Sequence, residues 1–71
     1  MAAIEPAVAQ IVAAINSVSY PIPAGYIVKL SGLEKSLVNR ILYAGKGFQF
    51  EQLESIPPLW RNITVVKTVN D

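Results

Sequence analysis

Lys35, Ser36, Asn39, Arg40 and Tyr43 recur at a spacing that, at about 100° per residue, gathers them on one side of a helix. Two cations, a hydroxyl, an amide and a phenol within about two turns make a surface that can hold phosphates and touch a base or sugar. Lys35 and Arg40 supply charge. Asn39, between them, can donate through its amide directly or through water, and Tyr43 offers both a ring and a hydroxyl. Further along, Pro57-Pro58 forms a stiff, donor-free apolar edge, and Trp60 adds an indole N–H and a large flat ring. Each of these features has a plainer reading by itself: a solvated helix face, an ordinary turn, a core tryptophan.

The same inventory excludes much chemistry. With neither histidine nor cysteine, the usual nucleophile-base pairs and most transition-metal sites cannot be built. Glu5, Glu34, Glu51 and Glu54 fall on separate elements, with no spacing that pairs two carboxylates for acid-base work. Gly45-Lys46-Gly47 is too short for a phosphate-cradling loop and lacks its strand-loop-helix setting. A non-enzymatic binding module with no cofactor and no metal is expected.

The elements that must position these groups follow from periodicity and punctuation. Glu5-Pro6 opens a first helix, expected over residues 6–17, whose buried stripe is Val8, Ile11, Val12 and Ile15. Tyr20-Pro21-Ile22-Pro23 must be extended, with Ile22 able to form a single bridge to a strand elsewhere. Helical character resumes over 24–30, and Ser31-Gly32 turns the chain. The helix carrying the polar face is expected over 33–43, burying Leu37, Val38, Ile41 and Leu42 on its other side. Gly45 and Gly47 end it, with Lys46 at the negative end of the helix dipole. Phe48 and Phe50, alternating with Gln49 and Glu51, suggest a strand over 48–53 with one buried face. The segment 54–58 turns, 59–66 returns as a second strand, and Lys67 to Asp71 is a frayed tail.

A helix, a glycine turn and a second helix with a polar, basic outer face follow the helix-turn-helix order, and the two strands after it form a wing. The expected fold is α+β, a winged helix-turn-helix with three helices and a small antiparallel sheet in the order helix, strand, helix, helix, strand, strand. It occupies the chain as one domain, 1–71, with an ordered core over about 5–66. Composition agrees: 52% hydrophobic and 15% charged residues describe a chain that buries a core. The net charge of +1 supplies no long-range basic field, so any phosphate binding must rest on local clustering. The apolar run 7–15 is too short to span a bilayer, and no basic residue precedes it as a secretory signal would require. These features lead us to expect an intracellular domain, as a small protein or as part of a larger one.

Asn39-Arg40-Ile41-Leu42-Tyr43, with Lys35 one turn earlier and Pro57-Pro58-Leu59-Trp60 downstream, resembles the Zα family of winged-helix domains over roughly 11–63. Members occur in an interferon-induced RNA-editing adenosine deaminase, an innate-immune sensor of Z-form nucleic acid, a fish translation-factor kinase and a poxvirus interferon antagonist. The resemblance implies binding to left-handed Z-form double-stranded DNA or RNA of alternating purine-pyrimidine sequence, CG repeats above all. The backbone is gripped with little sequence readout, and two domains can share one duplex without touching each other. By this resemblance Lys35 and Arg40 hold phosphates, Asn39 holds them directly and through water, and Ser36 belongs to the same face. Tyr43 packs edgewise on a syn guanine, held by Trp60, while Pro57 and Pro58 touch the backbone. It further implies a cytoplasmic or nuclear location, in an interferon-response sensor or in a viral antagonist of one.

Two departures stand out. Ile56 occupies a position that is often threonine in cellular members and resembles the poxvirus version. The early Gly45 and Gly47 shorten the recognition helix, leaving Lys46 as the replacement for a lysine that normally follows the tyrosine. Two rival readings remain, a winged helix reading B-form DNA in the major groove and a protein-interaction module. The second draws on the nearly uncharged outer side of the first helix.

Overall fold

The computed structural model describes residues 4–63, so the expectations for 64–66 and for the tail 67–71 lie outside the described residues. The elements run α1 (Ile4–Asn16), β1 (Ile22–Pro23), α2 (Ala24–Ser31), α3 (Lys35–Ala44), β2 (Phe50–Leu53) and β3 (Leu59–Asn62). This is an α+β fold of three helices and a three-stranded antiparallel sheet in the order β1-β3-β2. No described helix is long and apolar enough to cross a membrane.

Helix α1 begins two residues before the expected start, with Pro6 inside the first turn, where a missing N–H breaks no helical hydrogen bond. It ends where the Ser17 hydroxyl donates to the Ala14 carbonyl at 2.7 Å. Its buried stripe is Ala7, Ile11, Ala14 and Ile15, while Val8 and Val12 are only half-buried. The expected stripe is therefore rotated. Small alanines face the interior because they let the helix approach its neighbours closely, and the valines close the edge of the seam.

The turn between α2 and α3 depends on Gly32. At φ 75° it takes the left-handed conformation and donates its N–H to Val28 O at 2.9 Å, closing α2. Leu33 donates its N–H to the Ser31 hydroxyl at 3.2 Å, and Glu34 is extended, so α3 starts at Lys35 rather than at Leu33. α3 then buries Val38, Ile41 and Leu42 and half-buries Leu37, as its periodicity requires.

Ile22 pairs with Trp60 and Pro23 with Leu59, making β1 a two-residue strand rather than a single bridge. In the hairpin, Phe50 faces Asn62, Glu51 faces Arg61, Gln52 faces Trp60 and Leu53 faces Leu59. Arg61 and Asn62 both belong to β3, in register opposite β2. The loop between β2 and β3 contains a cis peptide bond at Ile56-Pro57.

The expected strand start at Phe48 is wrong. β2 begins at Phe50, which is fully buried, whereas Phe48 is 75% exposed in the turn before it. Gly47, at φ 87°, bends the chain out of the extended geometry that would have put both phenylalanines on one face, and the space left beside Gly45 seats Phe50 in the core. The core is one cluster to which every element contributes, with Ile11 and Ile15 from α1, Ile22 from β1 and Ile27 from α2. Val38, Ile41 and Leu42 of α3, Phe50 of β2 and Trp60 of β3 complete it.

Candidate nucleic-acid interface

The helix α3 positions its polar face by burying the opposite one. With Val38 and Leu42 fully buried, Lys35, Ser36, Arg40 and Tyr43 are exposed and Asn39 is half-buried between them. Lys35, Asn39 and Arg40 form no side-chain hydrogen bond or ion pair among the described residues. Their donors are open to an outside acceptor. Arg40 sits at the flank of the face, on the rim of a shallow groove with Val8, Ala44 and Gln49.

Tyr43 is the point where helix and hairpin meet. Its ring stands edge-on to Trp60, with centroids 5.0 Å apart and planes at 85°, the arrangement in which a positive ring edge meets a negative ring face. Trp60 is 2% exposed, so it presents no flat surface to a partner; its effect passes through Tyr43, which remains 53% exposed. A third residue completes the arrangement. Gln52 Nε2 donates to the Tyr43 hydroxyl at 2.8 Å, which leaves the phenolic proton free to be donated outward. Gln52 was not singled out from the sequence, although the alternation of β2 puts it on the same face as Phe50.

Lys46 replaces a helix-end role with an aromatic one. Its Nζ lies 5.9 Å from the Tyr43 ring centroid, at the outer limit of a cation-π contact. Lys35, Arg40 and Lys46 have no carboxylate partner among the described residues. Arg61 does not join them. It pairs with Glu51 across the hairpin, and strand alternation directs it to the sheet face opposite Trp60.

The 54–58 loop lies at the tip of the β2–β3 hairpin. Ile56, Pro57 and Pro58 are all exposed, Ile56 completely, so the hairpin ends in an apolar tip without a charge of its own beyond Glu54. The fold therefore joins Tyr43 and Trp60 directly and displays Lys35, Ser36, Asn39 and Arg40 on one helix face. Pro57 and Pro58 stay on the separate loop, tied to the helix through β3 and Trp60. No group of His, Cys, Asp and Glu among the described residues could hold a metal ion. Comparison of the chain with family models, with curated proteins and with solved structures finds no match.

Proposed function

We propose that the chain is a Zα-type winged helix that binds left-handed Z-form double-stranded DNA or RNA through its backbone. The observation that carries this reading is Tyr43, half-exposed, held edge-on by a buried Trp60 and by a hydrogen bond from Gln52. Such a ring is pre-oriented before any partner arrives, so little ordering entropy is lost on contact. Around it, Lys35, Arg40 and Lys46 are free to take phosphates, and Asn39 offers unpaired amide donors between the two helix cations. Pro57 and Pro58 complete the grip with a rigid apolar edge from the wing. Function lies in intracellular recognition of nucleic-acid shape, without catalysis, cofactor or metal. Ile56, which resembles the poxvirus version, supports the role of a viral antagonist that masks Z-form nucleic acid from interferon-induced sensors.

The test is circular dichroism of a CG-repeat duplex titrated with the protein. Inversion of the long-wavelength bands at saturation is expected; unchanged B-form bands sink the proposal. Competition with random B-form duplex separates it from a major-groove reader, for which both duplexes would compete equally.

One observation favours a protein-interaction module instead. No charged residue stands between Glu5 and Lys29, and Tyr20, Tyr26 and Leu30 expose apolar surface in that half of the chain. This reading leaves Tyr43 and its supports without a role.

A further inference from the structure

Phe48 is 75% exposed, yet the turn that carries it is tightly bonded. The Gly45 carbonyl accepts N–H groups from Phe48 at 2.9 Å, Gln49 at 2.9 Å and Phe50 at 3.1 Å, and Gly47 donates its N–H to Phe50 O at 2.8 Å. Phe50 takes the core position made possible by Gly45, where an added Cβ would lie 2.9 Å from the Phe50 ring. Phe48 is thus held outside the core by the turn's own geometry. It projects from a fixed backbone with no packing role of its own.

Two virtual bonds separate Phe48 from Lys46, so their Cα atoms are at most about 7.6 Å apart. Lys46 in turn reaches the Tyr43 ring. A cation and a flat ring two residues apart on a hydrogen-bonded turn at the end of α3 are the pair that single-stranded nucleic-acid binders use: charge for the phosphate, a ring for the base. A paired base inside a duplex offers no face for such stacking.

We propose that the turn 45–49 binds an unpaired nucleotide flanking the duplex, with Phe48 stacked on its base and Lys46 on its phosphate. This rests on the duplex-binding reading above and adds a second nucleic-acid feature to it, a preference for duplex next to single strand.

The experiment compares a blunt CG-repeat duplex with the same duplex extended by unpaired nucleotides, one of them 2-aminopurine. The extension is expected to raise affinity roughly tenfold, within the range of one stacked base, and to quench the 2-aminopurine. Phe48→Ala and Phe48→Leu should erase both effects while leaving blunt-duplex affinity unchanged, and Phe48→Trp should keep them. Far-UV circular dichroism of each variant should match the parent, as expected for an exposed ring. If the parent binds the blunt duplex but gains nothing from the extension, this inference falls alone, and a protein partner for Phe48 takes its place. A gain that survives Phe48→Ala overturns it equally, as does a loss of the same size on both duplexes. If the parent binds neither duplex, the Z-form reading falls and this inference with it.

Discussion

Tyr43 and Trp60, seventeen positions apart in the chain, meet edge-to-face at 5.0 Å, and this one contact couples the third helix to the hairpin. Trp60 is almost completely buried and Tyr43 is half in solvent, so a core residue sets the orientation of a surface residue. Stability and binding should therefore respond differently to changes on the two sides of the contact. Trp60→Ala opens a large cavity in a small domain and should cost about 3–5 kcal/mol, enough to leave much of the protein unfolded in a urea titration. Tyr43→Ala should cost far less stability while removing the ring from the proposed binding face. Equal destabilisation by the two changes would refute this division.

The Gln52 bond to the Tyr43 hydroxyl is exposed, so its net contribution to folding should be small, about 0.5–1.5 kcal/mol. Tyr43→Phe and Gln52→Ala should be non-additive, because each removes the same hydrogen bond. A double-mutant cycle on unfolding free energy should give a coupling of at least about 0.5 kcal/mol. Strict additivity would mean that the bond is not formed in solution.

Asn39→Ala removes a half-buried amide that has no intramolecular partner among the described residues. The melting temperature should hardly move. Under the Z-form reading, affinity for a CG-repeat duplex should fall by a few kcal/mol, the loss expected when a phosphate-binding group disappears from the centre of an interface. Calorimetric titration of parent and variant decides this, and unaltered affinity would remove Asn39 from the site.

Salt dependence follows from which cations are free. Lys35, Arg40 and Lys46 lack carboxylate partners among the described residues, whereas Arg61 is paired with Glu51 on the other sheet face. Under the Z-form reading, neutralising two or three phosphates predicts that log affinity falls with log salt at a slope of about −2 to −3 by the B-DNA rule. Arg40→Ala should reduce the slope by about one, while Arg61→Ala and Tyr43→Ala should leave it unaltered. A flatter slope in the Arg61 variant would place that residue on the nucleic acid.

Two glycines make a matched test of packing. Gly45→Ala sets a methyl group 2.9 Å from the buried Phe50 ring and should destabilise by about 1–3 kcal/mol as the ring shifts. Gly25, in the first turn of α2, has nothing within 4 Å of an added Cβ, so Gly25→Ala should stabilise by about 0.5–1 kcal/mol. Opposite signs in thermal or urea unfolding are expected.

Local chemistry made the helices and their faces legible from the chain alone. The 3.6-residue period separates Lys35, Asn39, Arg40 and Tyr43 from Val38, Ile41 and Leu42 without reference to any neighbour, and Gly32 ends α2 because only glycine takes its left-handed backbone at no cost. Alternation along β2 also places Gln52 on the Phe50 face, although nothing local says what lies opposite it. Three outcomes were decided by tertiary packing. Alternation cannot tell which of two phenylalanines enters the core; Gly45 leaves a seat for Phe50, and the bend at Gly47 turns Phe48 outward. Periodicity cannot tell how closely α1 approaches its neighbours, and the close approach chose Ala7 and Ala14 over Val8 and Val12 for the interior. No sequence spacing encodes the meeting of Tyr43 with Trp60 and Gln52, because that contact exists only once the hairpin docks on α3 and the pairing of Ile22 with Trp60 seals the sheet beneath it.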